Sequence, residues 1–192
     1  MFPEVAVREL VINALMHQDF HINGAGPMVE IFDERIEITN PGAPLIDTLR
    51  FIDSSPESRN ELLAKMMRRM RLCEERGSGI DKTIGSIEAY QLPAPNFIKG
   101  ERFLRAVLYA HKALKSMEKN DKVRACFQHC ALRYVSGEFM TNKSLRERFN
   151  VSKKSYSTIS RIIADTIESG LIKIHDDTSK SKKYAKYAPF WA

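Results

Sequence analysis

Glu9-Leu10-Val11-Ile12-Asn13-Ala14-Leu15-Met16-His17, close to the start of the chain, is the run on which its fold turns. Glu9, Asn13 and His17 are four residues apart, so in a helix each is displaced by only about 40° from the last, and the three form one polar stripe. Val7, Leu10, Val11, Ala14 and Leu15 follow the i, i+3, i+4, i+7, i+8 rule and are expected to form a buried face beside it. A carboxylate and a carboxamide at the lip of a core are costly to desolvate without partners, which makes the stripe a candidate site rather than a solvated helix edge.

Working outward, Pro3 and Glu4 suit the first turn of this helix, which is expected to run to about Phe20. Residues 21–27, with two glycines and a proline, read as a loop. Met28 to Phe32 and Arg35 to Thr39 alternate in polarity around Asp33-Glu34 and predict a hairpin that ends at Asn40-Pro41-Gly42. A helix from Arg59 to about Met70, with Ser58 as its cap, is followed by a glycine turn at Gly77 to Gly79 and a helix to about Tyr90. Two more strands, Asn96 to Lys99 and Phe103 to Tyr109, follow Pro93 and Pro95. Strands alternating with helices predict an α/β sandwich.

Four pieces of this stretch carry a resemblance. Arg8, Glu9, Asn13, Ala14, His17, Asp19 and Phe20 form the first and Asn40, Pro41 and Gly42 the second; Arg59 and Asn60, then Glu75, Arg76, Gly77, Gly79 and Ile80, complete the set. Their order resembles the nucleotide-binding fold of the gyrase, heat-shock chaperone, histidine-kinase and MutL (GHKL) ATPase superfamily. More closely, residues 1–110 resemble the RecG-like C-terminal domain of bacterial transcriptional regulators labelled helicase-related. The resemblance implies ATP and magnesium as cofactors, with Glu9 as candidate general base and Asn13 as a magnesium ligand through its side-chain oxygen. It further implies that His17, Asn40, Gly42, Gly77 and Gly79 line the nucleotide, the last two where backbone N–H groups meet a helix N-terminus. Active superfamily members carry an aspartate for the adenine amino group where Asn40 stands, and no glycine lies between Gly42 and Gly77, where a mobile lid is often found. Both departures point to a degenerate domain. The family also implies a Schlafen/Alba-type domain ahead of Arg8, so the chain is expected to be part of a longer protein. No Gly-x-x-x-x-Gly-Lys-Ser/Thr loop supports a helicase motor.

The remaining residues have a different charge. The net +6 conceals an asymmetry: through Lys112, 14 Lys and Arg stand against 16 Asp and Glu, whereas from Ala113 onward it is 16 against 8. Such a basic half is the electrostatic footprint of a nucleic-acid-binding part. Residues 113–120 are expected to be a linker between a first domain, 1–112, and a second, 121–192. Helices from about Asp121 to Ser136, from Lys143 to Phe149 with Asn142 as cap, and from Lys153 or Lys154 to Ser169 precede two strands, Leu171 to His175 and Lys183 to Tyr187. Three helices and a hairpin is the order of a winged helix-turn-helix. Ile159, Ile162, Ile163 and Ile167 turn inward, leaving Lys153, Lys154, Ser157, Thr158 and Arg161 to meet double-stranded DNA, with Lys180, Lys182 and Lys183 in the wing. The alternative is a protein-interaction module whose lysines only confer solubility.

The function expected is therefore a DNA-binding transcriptional regulator with a degenerate nucleotide-binding domain as sensor or assembly module; the alternative is a magnesium-dependent ATPase acting on DNA. Cys126, His129 and Cys130 share a helix face, but a structural zinc needs four ligands, and buried small residues are the better reading. Met66, Met67 and Met70 with Leu62 and Leu63 read as a packing face, against the core or a second copy of the chain, and the basic run Lys65 to Arg71 as solvated surface. No apolar run approaches the ~20 residues that span a bilayer, and three scattered cysteines suit a reducing compartment, so a cytoplasmic protein with no membrane partner is expected.

Overall fold

Pro3, buried with φ −63°, sets the entry to α1 (Glu4–His17) in this computed structural model, which describes residues 1–55, 57–73, 78–175 and 185–192. The helix stops at His17 because Gln18 turns to extended backbone, and Asp19 N–H then donates to the Pro41 carbonyl at 2.8 Å, which attaches the end of the helix to the end of a strand. Its buried residues are Ala6, Glu9, Leu10, Ile12 and Ala14. The periodicity placed Leu15 inside and Glu9 outside that face; the structure puts Leu15 in solvent and rotates the stripe that carries Glu9 inward.

The described chain divides into two compact units, residues 1–90 with 95–110, and residues 91–94 with 111–192. In the first, β1 (Met28–Ile31), β2 (Arg35–Pro41), β3 (Asn96–Lys99) and β4 (Phe103–Tyr109) form one antiparallel sheet in the order β1-β2-β4-β3. The register pairs Ile38 with Ala106 and Asn40 with Leu104, so these four side chains share the face that meets the helices. On the other face Glu37 is buried between Arg35 and Arg105, the latter 3.0 Å away. Helices α2 (Glu61–Arg69) and α3 (Gly79–Ala89) complete the unit, with α1 packed on both α3 and β2. This is the mixed α/β sandwich expected.

The second unit contains α4 (Lys119–Val135), α5 (Asn142–Arg148), α6 (Tyr156–Glu168) and the antiparallel pair β5 (Ile172–Ile174) and β6 (Tyr187–Pro189). A bridge from Met140 to Tyr187 adds a third short strand position. Residues that begin α6 in the sequence reading instead make a 3-10 turn, Lys153–Ser155, ahead of it. The cap of α5 is Thr141, not Asn142: Thr141 Oγ1 accepts from Ser144 N–H at 3.1 Å and Ser144 Oγ accepts from Thr141 N–H at 3.0 Å. Asn142 is buried and donates instead to Ser160 Oγ and the Tyr156 carbonyl on α6. Among the described residues no helix is long and apolar enough to cross a membrane.

Candidate functional site

A cavity of about 570 Å³ opens in the first unit, within the range of small-molecule sites. Glu9, Asn13 and His17 of α1 line it, and so do Asn40 and Gly42 at the end of β2 and Gly79 at the start of α3. Six of the seven nucleotide-site residues named from sequence are thus brought to one cavity; Gly77 lies outside the described residues. Ile38, Leu104, Ala106 and Phe97 form its apolar floor on the sheet.

Two glycines allow this convergence. A Cβ on Gly79 would stand 2.9 Å from Glu9 Oε2 and 3.6 Å from Asn13 Nδ2, so α3 begins directly against the polar stripe of α1 and a side chain there would displace the Glu9 carboxylate. Gly42 has φ +102°, and a Cβ there would stand 2.8 Å from Asp19 Cβ. The Asn-Pro-Gly turn therefore closes directly onto the end of α1.

The carboxylate of Glu9 is buried, with the Arg8 guanidinium 3.6 Å away as a half-exposed counter-charge. It lies at the N-terminal end of α3, where the helix dipole favours negative charge. Asn40 is buried as well, and its Nδ2 donates to the Pro41 carbonyl at 3.3 Å, which commits the amide to its nitrogen end on the backbone. Burial, reinforced by the nearby Arg59 guanidinium, holds the His17 imidazole below its ordinary pKa.

Three neighbours had been quoted in the sequence only as part of a run or as a cap. Arg59 donates to Asp19 at 3.2 Å and to the Ala43 carbonyl at 2.6 Å, holding the end of α1 against the loop after β2. Asn60 Nδ2 donates to the carbonyls of Met16 and Gln18 at 2.9 and 2.8 Å, so the residue before α2 caps the end of α1. Ser58 Oγ and Arg59 Nε are buried with no hydrogen-bond partner among the described residues. Ser58 and Arg59 both line the cavity, where water or a polar ligand can reach such groups. Adjacency in the sequence was their only signal.

The cavity fits a nucleotide in size, in its close glycines and in these unsatisfied polar atoms. Asn13 lines it with its side-chain amide, and the Glu9 carboxylate stands beside it at the start of α3. Cys126 and Cys130 are fully buried in α4, with the Cys126 thiol pushed up to about 12 by burial, and His129 Nε2 lies 3.2 Å from Ser144 Oγ. Among the described residues no group of three or more His, Cys, Asp or Glu could hold a metal. The full burial of Cys126 and Cys130 is what the packing reading expects.

The DNA-site residues lie in the second unit. Ile159, Ile162 and Ile163 are buried, and Lys153, Lys154, Ser157, Thr158 and Arg161 are all exposed on the start of α6 and the turn before it. Lys180, Lys182 and Lys183 lie outside the described residues.

No curated protein matches the chain. Its fold is similar to the crystal structure of the DIP2311 protein from Corynebacterium diphtheriae, at 18% identity and a TM-score of 0.55, over 98% of this chain and 40% of that one. The chain thus spans well under half of that protein's length. Residues 24–108 match the family model described as "Putative ATP-dependent DNA helicase recG C-terminal", which takes in Asn40, Gly42 and Gly79 and begins after α1, so that Glu9, Asn13 and His17 join the site through the fold.

Proposed function

We propose that this chain is a DNA-binding transcriptional regulator whose ATPase-like unit senses a nucleotide instead of consuming it. The observation that carries the reading is the exposed start of α6, where Lys153, Lys154, Ser157, Thr158 and Arg161 stand together in a stretch, 148–164, whose sequence has no Asp or Glu. Three helices followed by an antiparallel pair is the order of a winged helix, in which the third helix enters the major groove. Lysines there contact phosphate, and Arg161 has the length and the two-pronged donor set to read guanine. The sensing role is supported at Asn40, which stands where active relatives use aspartate and whose amide nitrogen donates to the Pro41 carbonyl.

Binding of the whole chain to duplex DNA over a salt series tests this. Each phosphate neutralised contributes about −0.9 to the slope of log affinity against log salt, so K153A/K154A is expected to flatten the slope by about 2 and weaken binding on all sequences alike. A slope near zero in the unmodified protein would leave the second unit as a protein-interaction module.

A second reading, a magnesium-dependent ATPase acting on DNA, is favoured by one observation: Glu9 and Asn13 line the same cavity as Gly79. Magnesium, when bound, would offset phosphate charge. Asn13 would hold it, Glu9 would hold a proton from water, and the Asn40 oxygen would accept from the base. Asn13→Ala and chelation are each expected to weaken ATP binding. ATP affinity indifferent to both would remove the nucleotide from this cavity, and steady magnesium-dependent turnover abolished by Glu9→Gln would replace the sensor by an enzyme.

A further inference from the structure

Among the described residues strand β1 is one edge of the sheet and pairs only with β2. Its Val29 and Ile31 face the same side as their register partners Ile38 and Ile36. Those partners are 2% and 8% exposed, yet Val29 is 47% and Ile31 77% exposed. The helical layer therefore covers β2 and stops short of β1, leaving room for a helix beside α1. The uncovered hairpin is acidic: Glu30, Asp33 and Glu34 precede the first base, Arg35, which is already paired with Glu37.

Helix α2 has the converse surface. Ala64 and Met67 are buried, but Leu62, Met66 and Met70 form a second apolar stripe at i, i+4 and i+8 that is 82%, 52% and 52% exposed. Of the face expected to pack on the core or on a second copy, Met67 is buried and Leu63 half-buried within the chain. Lys65 and Arg69 lie on the same exposed face, and Arg71 follows. A helix with two apolar faces needs two partners.

We propose that α2 of one copy of the chain docks over β1 of the next, extending the helical layer beside α1, with Leu62, Met66 and Met70 on Val29, Ile31 and Phe32. Lys65 and Arg69 then approach Asp33 and Glu34. Charge favours the pairing: β1 against its own copy, centred on Glu30, sets two carboxylates opposite, and α2 against its own copy sets Lys65 against Lys65 with Glu61 as the one carboxylate on the helix, whereas α2 on β1 brings Lys65 and Arg69 to Asp33 and Glu34. The contact is heterologous, so every copy retains one open half and the assembly grows until it closes.

The test uses the whole chain in analytical ultracentrifugation over a concentration series. The unmodified protein is expected to exceed one chain mass as concentration rises, less so at high salt. L62E/M66E and V29E/I31E, all at exposed positions, are each expected to stay at one chain mass with an unchanged circular dichroism spectrum. Their equimolar mixture is expected to give a two-chain complex and nothing larger, since each variant supplies the half the other has lost. An unmodified protein of one chain mass throughout overturns the proposal. So does continued association of either variant alone, or a mixture that does not combine.

Discussion

His17 sits where the polar stripe of α1 meets Arg59, and its protonation is resisted first by burial and then by that guanidinium. The folded protein consequently binds fewer protons at this position than the unfolded chain once the pH falls below the usual 6.5. Stability contributed at His17 is thus fully present above that value and is lost as pH falls towards the depressed folded pKa. Urea midpoints measured from about pH 8 to about pH 5 should fall more steeply in the unmodified protein than in His17→Gln, which cannot take up the proton. Parallel curves would mean that His17 is solvated in the native state. Asp81, pushed up to about 6 by burial, contributes the opposite slope, which is why the comparison with the variant is needed.

Between elements, the most informative residue is Asn60. It occupies the N-cap position of α2 but makes no side-chain cap bond there, because its amide nitrogen serves the carbonyls of Met16 and Gln18 at the end of α1. Asn60→Ala removes two hydrogen bonds to part-buried carbonyls and is expected to cost about 1–3 kcal/mol. The signature is its location: amide exchange should quicken in the last turn of α1 and at Asp19, with the first turn of α2 unchanged. Faster exchange confined to α2 would show the side chain acting as an ordinary cap. Because α1 carries Glu9 and Asn13, this contact also bears on the cavity.

At the scale of the molecule, the chain enters its second unit before it has finished the first. Gln91 to Ala94 belong to the unit formed by residues 111–192, although β3 and β4 come after them and belong to the other. The tie is specific: Arg148 donates to the Leu92 carbonyl at 2.6 Å and Arg124 to the Ala94 carbonyl at 3.1 Å, with Leu92 and Ala94 buried. Cleavage at a protease site inserted between Lys112 and Lys115, both exposed, should therefore give two pieces that co-elute under native conditions and separate in denaturant. Pieces that part on a native column would show that residues 91–94 are not held. The same tie explains why DNA binding is best measured on the whole chain.

The sequence by itself determined what depends on neighbours a few residues apart. Its periodicities placed Glu9, Asn13 and His17 on one helix stripe, the turn of a hairpin at Asp33-Glu34, and Ile159, Ile162 and Ile163 on the inner side of α6. These follow from 3.6- and 2-residue repeats, which are local geometry. Whether a stripe faces in or out is not local, and here the tertiary structure decided. It turned Glu9 inward and Leu15 outward, and left Leu62, Met66 and Met70 in solvent, where the pattern alone does not separate a core face from one for a second copy. It brought Gly79 so close to a carboxylate seventy residues earlier in the chain that an added Cβ would stand 2.9 Å from it. It also gave the amide of Asn60 to α1, assigned the α5 cap to Thr141 instead of Asn142, and placed residues 91–94 in the second unit. The amides of Asn60 and Asn142 and the carbonyls of Leu92 and Ala94 each find a partner distant in sequence, and the cost of leaving such a group unpaired is known only once the packing around it is formed.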